Sequence, residues 1–173
     1  MTKNYSIWLM PNEENDVLED LDDTISRLSK EQGTPDFRPH ITLIGGINES
    51  LPTIRETVEE ISKRISQLEV EFMNTHFSTT RHQCNYILIK PTKELLELHE
   101  GLSEEFNIQK SMYVPHLSLI YSDMSISRRE KINNSIEDIP KGFSSDRLLI
   151  YDTSGKEEDW NPVDEFKLGH DAY

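Results

Sequence analysis

The 173-residue chain carries 32 acidic against 18 basic side chains, a formal charge of −14 with no Lys/Arg block, which argues against long nucleic acid as a partner because phosphates are gripped by clustered cations. A single cysteine, Cys84, rules out an intrachain disulfide and makes a reducing, cytoplasmic compartment the expectation. No apolar run approaches the ~20 residues of a membrane span, the N-terminal stretch reads as neither secretory signal nor transit peptide, and the length suits one unit over residues 1–173.

Residues 4–11, NYSIWLMP, alternate Tyr5, Ile7 and Leu9 against Ser6, Trp8 and Met10, the period of a strand. Over 14–33, Val17, Leu18, Leu21, Ile25 and Leu28 recur at helical spacing, with acids early and Gly33 where a C-cap belongs. Residues 39–44 read as a strand stopped by Gly45 and Gly46. A second helix follows over 51–66, with Ile54, Val58, Ile61 and Ile65 on one face. Two strands over 68–80 and 85–90 flank Cys84, read as a small buried hydrophobe. Residues 92–107 form a helix and 114–121 a strand. Ser127 and Glu130 set a capping box for a helix over 127–139, and 146–154 and 163–169 close the chain as strands. No Gly-rich loop follows a strand, so a doubly wound nucleotide-binding sheet lacks its signature.

One phrase is written twice. RPHITLIGGI, from Arg38, and VPHLSLIYSD, from Val114, both read Pro, His, apolar, hydroxyl residue, Leu, Ile. The repetition predicts a pseudo-twofold α+β arrangement of two lobes. Residues two apart in a strand share a face, so His40 sits beside Thr42, and His116 beside Ser118, each opposite an apolar side. Six histidines yield a third His-x-Ser/Thr match at His76. It lacks the flanking Pro and Leu-Ile and is read as structural or surface, while His99, in an acidic helix, and His170 are taken for surface residues. His82 and Cys84 do not amount to a zinc site, which needs three or four ligands. No metal or other cofactor is expected.

Two imidazoles and two hydroxyls brought face to face suit phosphoryl chemistry. With a pKa near neutrality, one ring takes a proton from water while the other gives one to a leaving alkoxide. The hydroxyls stabilise the non-bridging oxygens, and attack and departure lie in line across phosphorus. The near-symmetry of the motifs leaves open which histidine is acid and which is base.

On these residues the sequence resembles the two-histidine (2H) phosphoesterase superfamily, and PHLSLIYSD looks most like its plant and fungal cyclic phosphodiesterases. SIWLMP, QCNYILIKP and the ending LLIYDTSG through EFKLG resemble that family's layout. The resemblance implies a bilobal fold with two antiparallel sheets facing each other and helices outside. It implies His40 and His116 as catalytic, and Thr42 and Ser118 as phosphate-binding. Trp8 and Tyr121 would touch substrate, although strand alternation from His116 puts Tyr121 on the core side unless a bulge or the strand end turns it. Arg81 and His82 stand where a base-flanking aromatic is expected. The implied reaction is metal-independent hydrolysis of ADP-ribose 1″,2″-cyclic phosphate and nucleoside 2′,3′-cyclic phosphates, to ADP-ribose 1″-phosphate and nucleoside 2′-phosphates. The expected partner is a small cyclic phosphate bound by a monomer, without membrane. The rival readings are a 2′,5′-RNA ligase-like phosphodiesterase, because HITLIGGI also resembles that branch, and a non-catalytic cyclic nucleotide-binding module.

Overall fold

The computed structural model describes residues 2–109 and 112–169; His170 lies outside them. In chain order the elements are β1 Tyr5–Leu9, α1 Asp16–Gln32, β2 Ile41–Ile47, α2 Leu51–Ser62, β3 Leu68–Phe77, β4 Asn85–Ile89, α3 Lys93–Glu105, β5 His116–Ile120, α4 Ile126–Ser135, β6 Gly142–Ser145, β7 Arg147–Asp152 and β8 Asn161–Lys167. The strands form one antiparallel order, β6-β3-β4-β5-β2-β1-β7-β8. Its two four-stranded halves meet at β2 and β5 through a single register pair among the described residues, Ile41 with Leu117. The two expected sheets are joined edge to edge at that seam. Each half repeats strand, helix, motif strand, helix: β1-α1-β2-α2 matches β4-α3-β5-α4. Helix α1 packs on β5 and α3 on β2, so each lobe's first helix covers the other lobe's motif strand.

The alternation read in the sequence decides the layers. Ile7, Leu9, Leu148 and Ile150 point into the main core with the helices. Trp8, Met10, Leu149 and Tyr151 form a smaller cluster on the opposite face, with Trp160 against it. The helix ends are capped as their residues dictate: Asn15 accepts from the Val17 N–H, and Gly33 closes α1 in the left-handed region at φ 66°.

Two sequence expectations need correction, and one strand went unread. Ser125, not Ser127, caps α4, accepting from the Arg128 N–H. The unread strand is β6, GFSS, only four residues long, which pairs with β3. Gly45 and Gly46 do not stop β2, which continues to Ile47 through irregular pairing.

That irregularity is functional in form. Ile7 faces Ile44 and Trp8 faces Thr42, so β2 advances two residues while β1 advances one, and Leu43 is a bulge. In the other lobe Asn85 faces Ile120 and Tyr86 faces Ser118, so Leu119 is its counterpart. Each motif bulges immediately after its hydroxyl residue. The second bulge resets the strand phase and carries Tyr121 to the histidine side.

Candidate active site

A cleft of about 1100 Å3 is lined by residues from both lobes, among them Trp8, His40, Thr42, His82, His116, Ser118, Tyr121 and Trp160. All six sequence-predicted site residues reach it. His76 does not, lying exposed on β3.

Local sequence sets each imidazole in the same way. Proline at positions 39 and 115 fixes φ and has no N–H to donate. The carbonyl of the residue before it then turns back to the ring: His40 Nδ1 donates to the Arg38 oxygen at 2.7 Å, and His116 Nδ1 to the Val114 oxygen at 2.8 Å. A carbonyl can only accept, so each Nδ1 carries a proton and Nε2 is the nitrogen that titrates. The Gln83 amide lies 3.3 Å from His116 Nδ1.

Tertiary packing then breaks the symmetry. His40 is 4% exposed and stacks flat on Trp8, ring centroids 3.4 Å apart, while Trp8 lies 3.6 Å from Tyr151 on a second stacking contact. Burial pushes the His40 imidazole down to about 3; the Arg38 carbonyl opposes the shift and charge on nearby His116 adds to it. His116 is only half-buried, with the Tyr86 ring edge-on at 5.5 Å. Tyr86 pairs with Ser118 as Trp8 pairs with Thr42, so it is the pseudosymmetric mate of Trp8, and the sequence reading missed it. The Tyr121 hydroxyl reaches across to within 3.4 Å of His40 Nε2, and burial raises its phenol pKa, keeping it protonated as a donor.

The hydroxyls differ as well. Ser118 Oγ donates to the His82 carbonyl at 2.5 Å, whereas Thr42 lines the cleft with no side-chain bond among the described residues. The rim joins the lobes. Arg81 from the β3–β4 loop reaches Glu157, in a single 3-10 turn before β8, at 2.8 Å, and Asp123 at 2.7 Å; His82 meets the same Glu157 oxygen at 3.2 Å. Burial works against the Glu157 charge, but Arg81 and His82 hold its carboxyl below the usual range. Trp160 stands beside His82 and Tyr121, each 5.8 Å away, which gives the cleft an aromatic wall that Arg81 and His82 alone would not. The loop is held from beneath by Arg129, 3% exposed, which donates to the carbonyls of Ser78, Thr80, Ser122 and Met124. A charged residue in a polar helix gave no sequence sign of this role. No group of three or more His, Cys, Asp or Glu suited to a metal occurs among the described residues.

A family model described as cyclic phosphodiesterase-like protein matches residues 1–168. The chain belongs to this family. As a cyclic phosphodiesterase-like protein it is a two-histidine phosphoesterase, and hydrolysis of cyclic phosphodiesters is its general reaction. It is 23% identical to the cyclic phosphodiesterase of Arabidopsis thaliana over 170 residues, covering 92% of each chain. It is 25% identical to a 2′,3′-cyclic-nucleotide 3′-phosphodiesterase of Phaeosphaeria nodorum, covering 94% of this chain and 98% of that one. In fold the cyclic phosphodiesterase-like chain matches LigT of E. coli, crystallised with 3′-AMP, at TM-score 0.62 and 11% identity over 98% of this chain and 100% of that one. It matches TT0787 of Thermus thermophilus at TM-score 0.67 and 14% identity, covering 95% and 97%. No described helix is long and apolar enough to cross a membrane.

Proposed function

We propose that the protein opens nucleoside 2′,3′-cyclic phosphates and ADP-ribose 1″,2″-cyclic phosphate, giving nucleoside 2′-phosphates and ADP-ribose 1″-phosphate, with His40 as general base and His116 as general acid. The observation that carries it is the convergence of two Pro-His-apolar-hydroxyl motifs on one cleft, each ring pinned through Nδ1 to its own backbone. His40, desolvated under Trp8, is neutral at pH 7, as a base must be. A bound phosphodiester anion beside it raises its proton affinity. His40 Nε2 takes a proton from water as the water oxygen bonds to phosphorus. The phosphorus–O3′ bond breaks, and His116 Nε2 supplies the proton to the departing oxygen. One water is consumed, and solvent exchange resets both rings.

Thr42 donates to the non-bridging oxygens, as do Ser118 and Tyr121 once their hydroxyls turn to the substrate from the His82 carbonyl and from His40 Nε2. The name of the fungal relative, a 3′-phosphodiesterase, supports scission at the 3′ bond. The surplus of carboxylates, with Asp123 and Glu157 both paired to Arg81 at the rim, supports a small substrate over polymeric RNA, taken up by a single bilobal chain acting as a monomer. Phosphorus NMR of the products from a 2′,3′-cyclic nucleotide tests the reading. The 2′-phosphate alone is expected. Pure 3′-phosphate would overturn the regiochemistry, and turnover confined to 2′,5′-linked oligonucleotides would overturn the substrate class.

A further inference from the structure

The bulge at Leu43 leaves β2 with a backbone problem. It sits between the β1 partners Ile7 and Trp8, out of regular pairing, and β5 pairs with β2 at Ile41 alone among the described residues. Buried strand carbonyls need donors. Two come from side chains of the opposite lobe. His99 of α3, read from sequence as a surface residue, is 7% exposed, and its Nδ1 donates to the Leu43 carbonyl at 2.6 Å. The Tyr113 hydroxyl, from the segment before β5, donates to the Thr42 carbonyl at 3.0 Å. The two rings stack with centroids 3.7 Å apart and 8° between planes. Ser103 closes the far side, donating to the His99 carbonyl at 2.8 Å with its oxygen 3.5 Å from Nε2.

We infer that His99 and Tyr113 are positioning residues, a stacked brace that locks the bulge of the first motif and so aims the Thr42 hydroxyl at the phosphate. The inference rests on the proposed function for the role of Thr42. A bulge re-aims one side chain only while its backbone is held, and the ladder does not hold this one. Tyr113 borders the cleft, but its hydroxyl is spent on the Thr42 carbonyl, so neither ring need touch the reacting atoms: a hydroxyl misplaced by about 1 Å can cost ~10²-fold. Burial raises the Tyr113 phenol pKa, so it remains a donor throughout the working range. The brace also couples the lobes, because both rings belong to the lobe whose strand carries His116 and both hold the first motif.

The test is a double-mutant cycle on a nucleoside 2′,3′-cyclic phosphate with wild type, Tyr113→Phe, Thr42→Ala and the double variant. Tyr113→Phe removes one oxygen and should lower kcat about tenfold with KM within about twofold, and should cost less than about twofold once Thr42 is already Ala. Equal losses in both backgrounds, or none in either, overturn the brace. As a second reading, His99→Asn keeps a donor at the δ position and should stay within about threefold of wild type, whereas His99→Leu should fall as Tyr113→Phe does. Equal impairment of both overturns the assigned bond to Leu43, and if His99→Leu fails to fold, the Tyr113 cycle decides. Absence of turnover in the wild type would overturn the proposed function instead. The same four proteins would then be compared by their Kd for orthovanadate, whose five-coordinate form mimics the transition state, and Tyr113→Phe should weaken it only where Thr42 is present.

Discussion

Acid should destabilise this protein through His40 in a way that one substitution removes. The folded-state imidazole titrates at about 3 against an ordinary 6.5 because it is desolvated under Trp8. Between those values the unfolded chain binds a proton that the folded chain refuses, so stability is intact above pH 6.5 and falls as pH drops toward 3. From about pH 7.5 to about pH 4.5 the linkage amounts to about 2 to 3 kcal/mol for one such group, a large share of the ~5–15 kcal/mol that holds a domain together. His40→Asn keeps a donor near the Arg38 carbonyl but has nothing to titrate. Urea unfolding of both proteins at the two pH values isolates the effect, because the depressed carboxyls of Asp152 and Glu157 lose stability on acidification in both alike. Wild type should lose about 2 kcal/mol more than His40→Asn over the interval. Parallel losses would mean that His40 is not held neutral by burial, and the reason for making it the base would go with it.

His40→Ala and His116→Ala should each cut turnover by at least ~10²-fold, with His76→Ala near wild type; a fast variant at either motif histidine refutes the mechanism. Activity should persist in EDTA, and loss on chelation with recovery on one divalent ion would refute metal independence. Arg129→Met should cost about 3 kcal/mol or more in urea unfolding, because four carbonyls lose a buried donor; a change under about 1 kcal/mol would deny it the loop. Ser125→Ala should cost about 1 kcal/mol while Ser127→Ala costs little, and the reverse order of midpoints would restore the cap to Ser127.

The chain's local patterns determined its elements, β6 excepted, and the identity of the motif. Alternation around Ile7 and Leu9 put Trp8 on the cleft side, and the repeated phrase named His40, Thr42, His116 and Ser118, because periods of two and four residues are written in neighbours along the chain. Tyr121 was legible only conditionally: its parity was wrong for the site, and the bulge at Leu119 that corrects it is a property of pairing with β4. Whatever depends on contact across sequence distance was decided by tertiary structure alone. His99 and Arg129 look solvated in their own helices and are buried because helices of one lobe cover carbonyls and loops elsewhere. The difference between the two histidines is of the same kind. Their sequence contexts are nearly identical, and what separates the desolvated imidazole from its half-exposed partner is the plane of Trp8 lying 3.4 Å from one ring and only the edge of Tyr86 meeting the other.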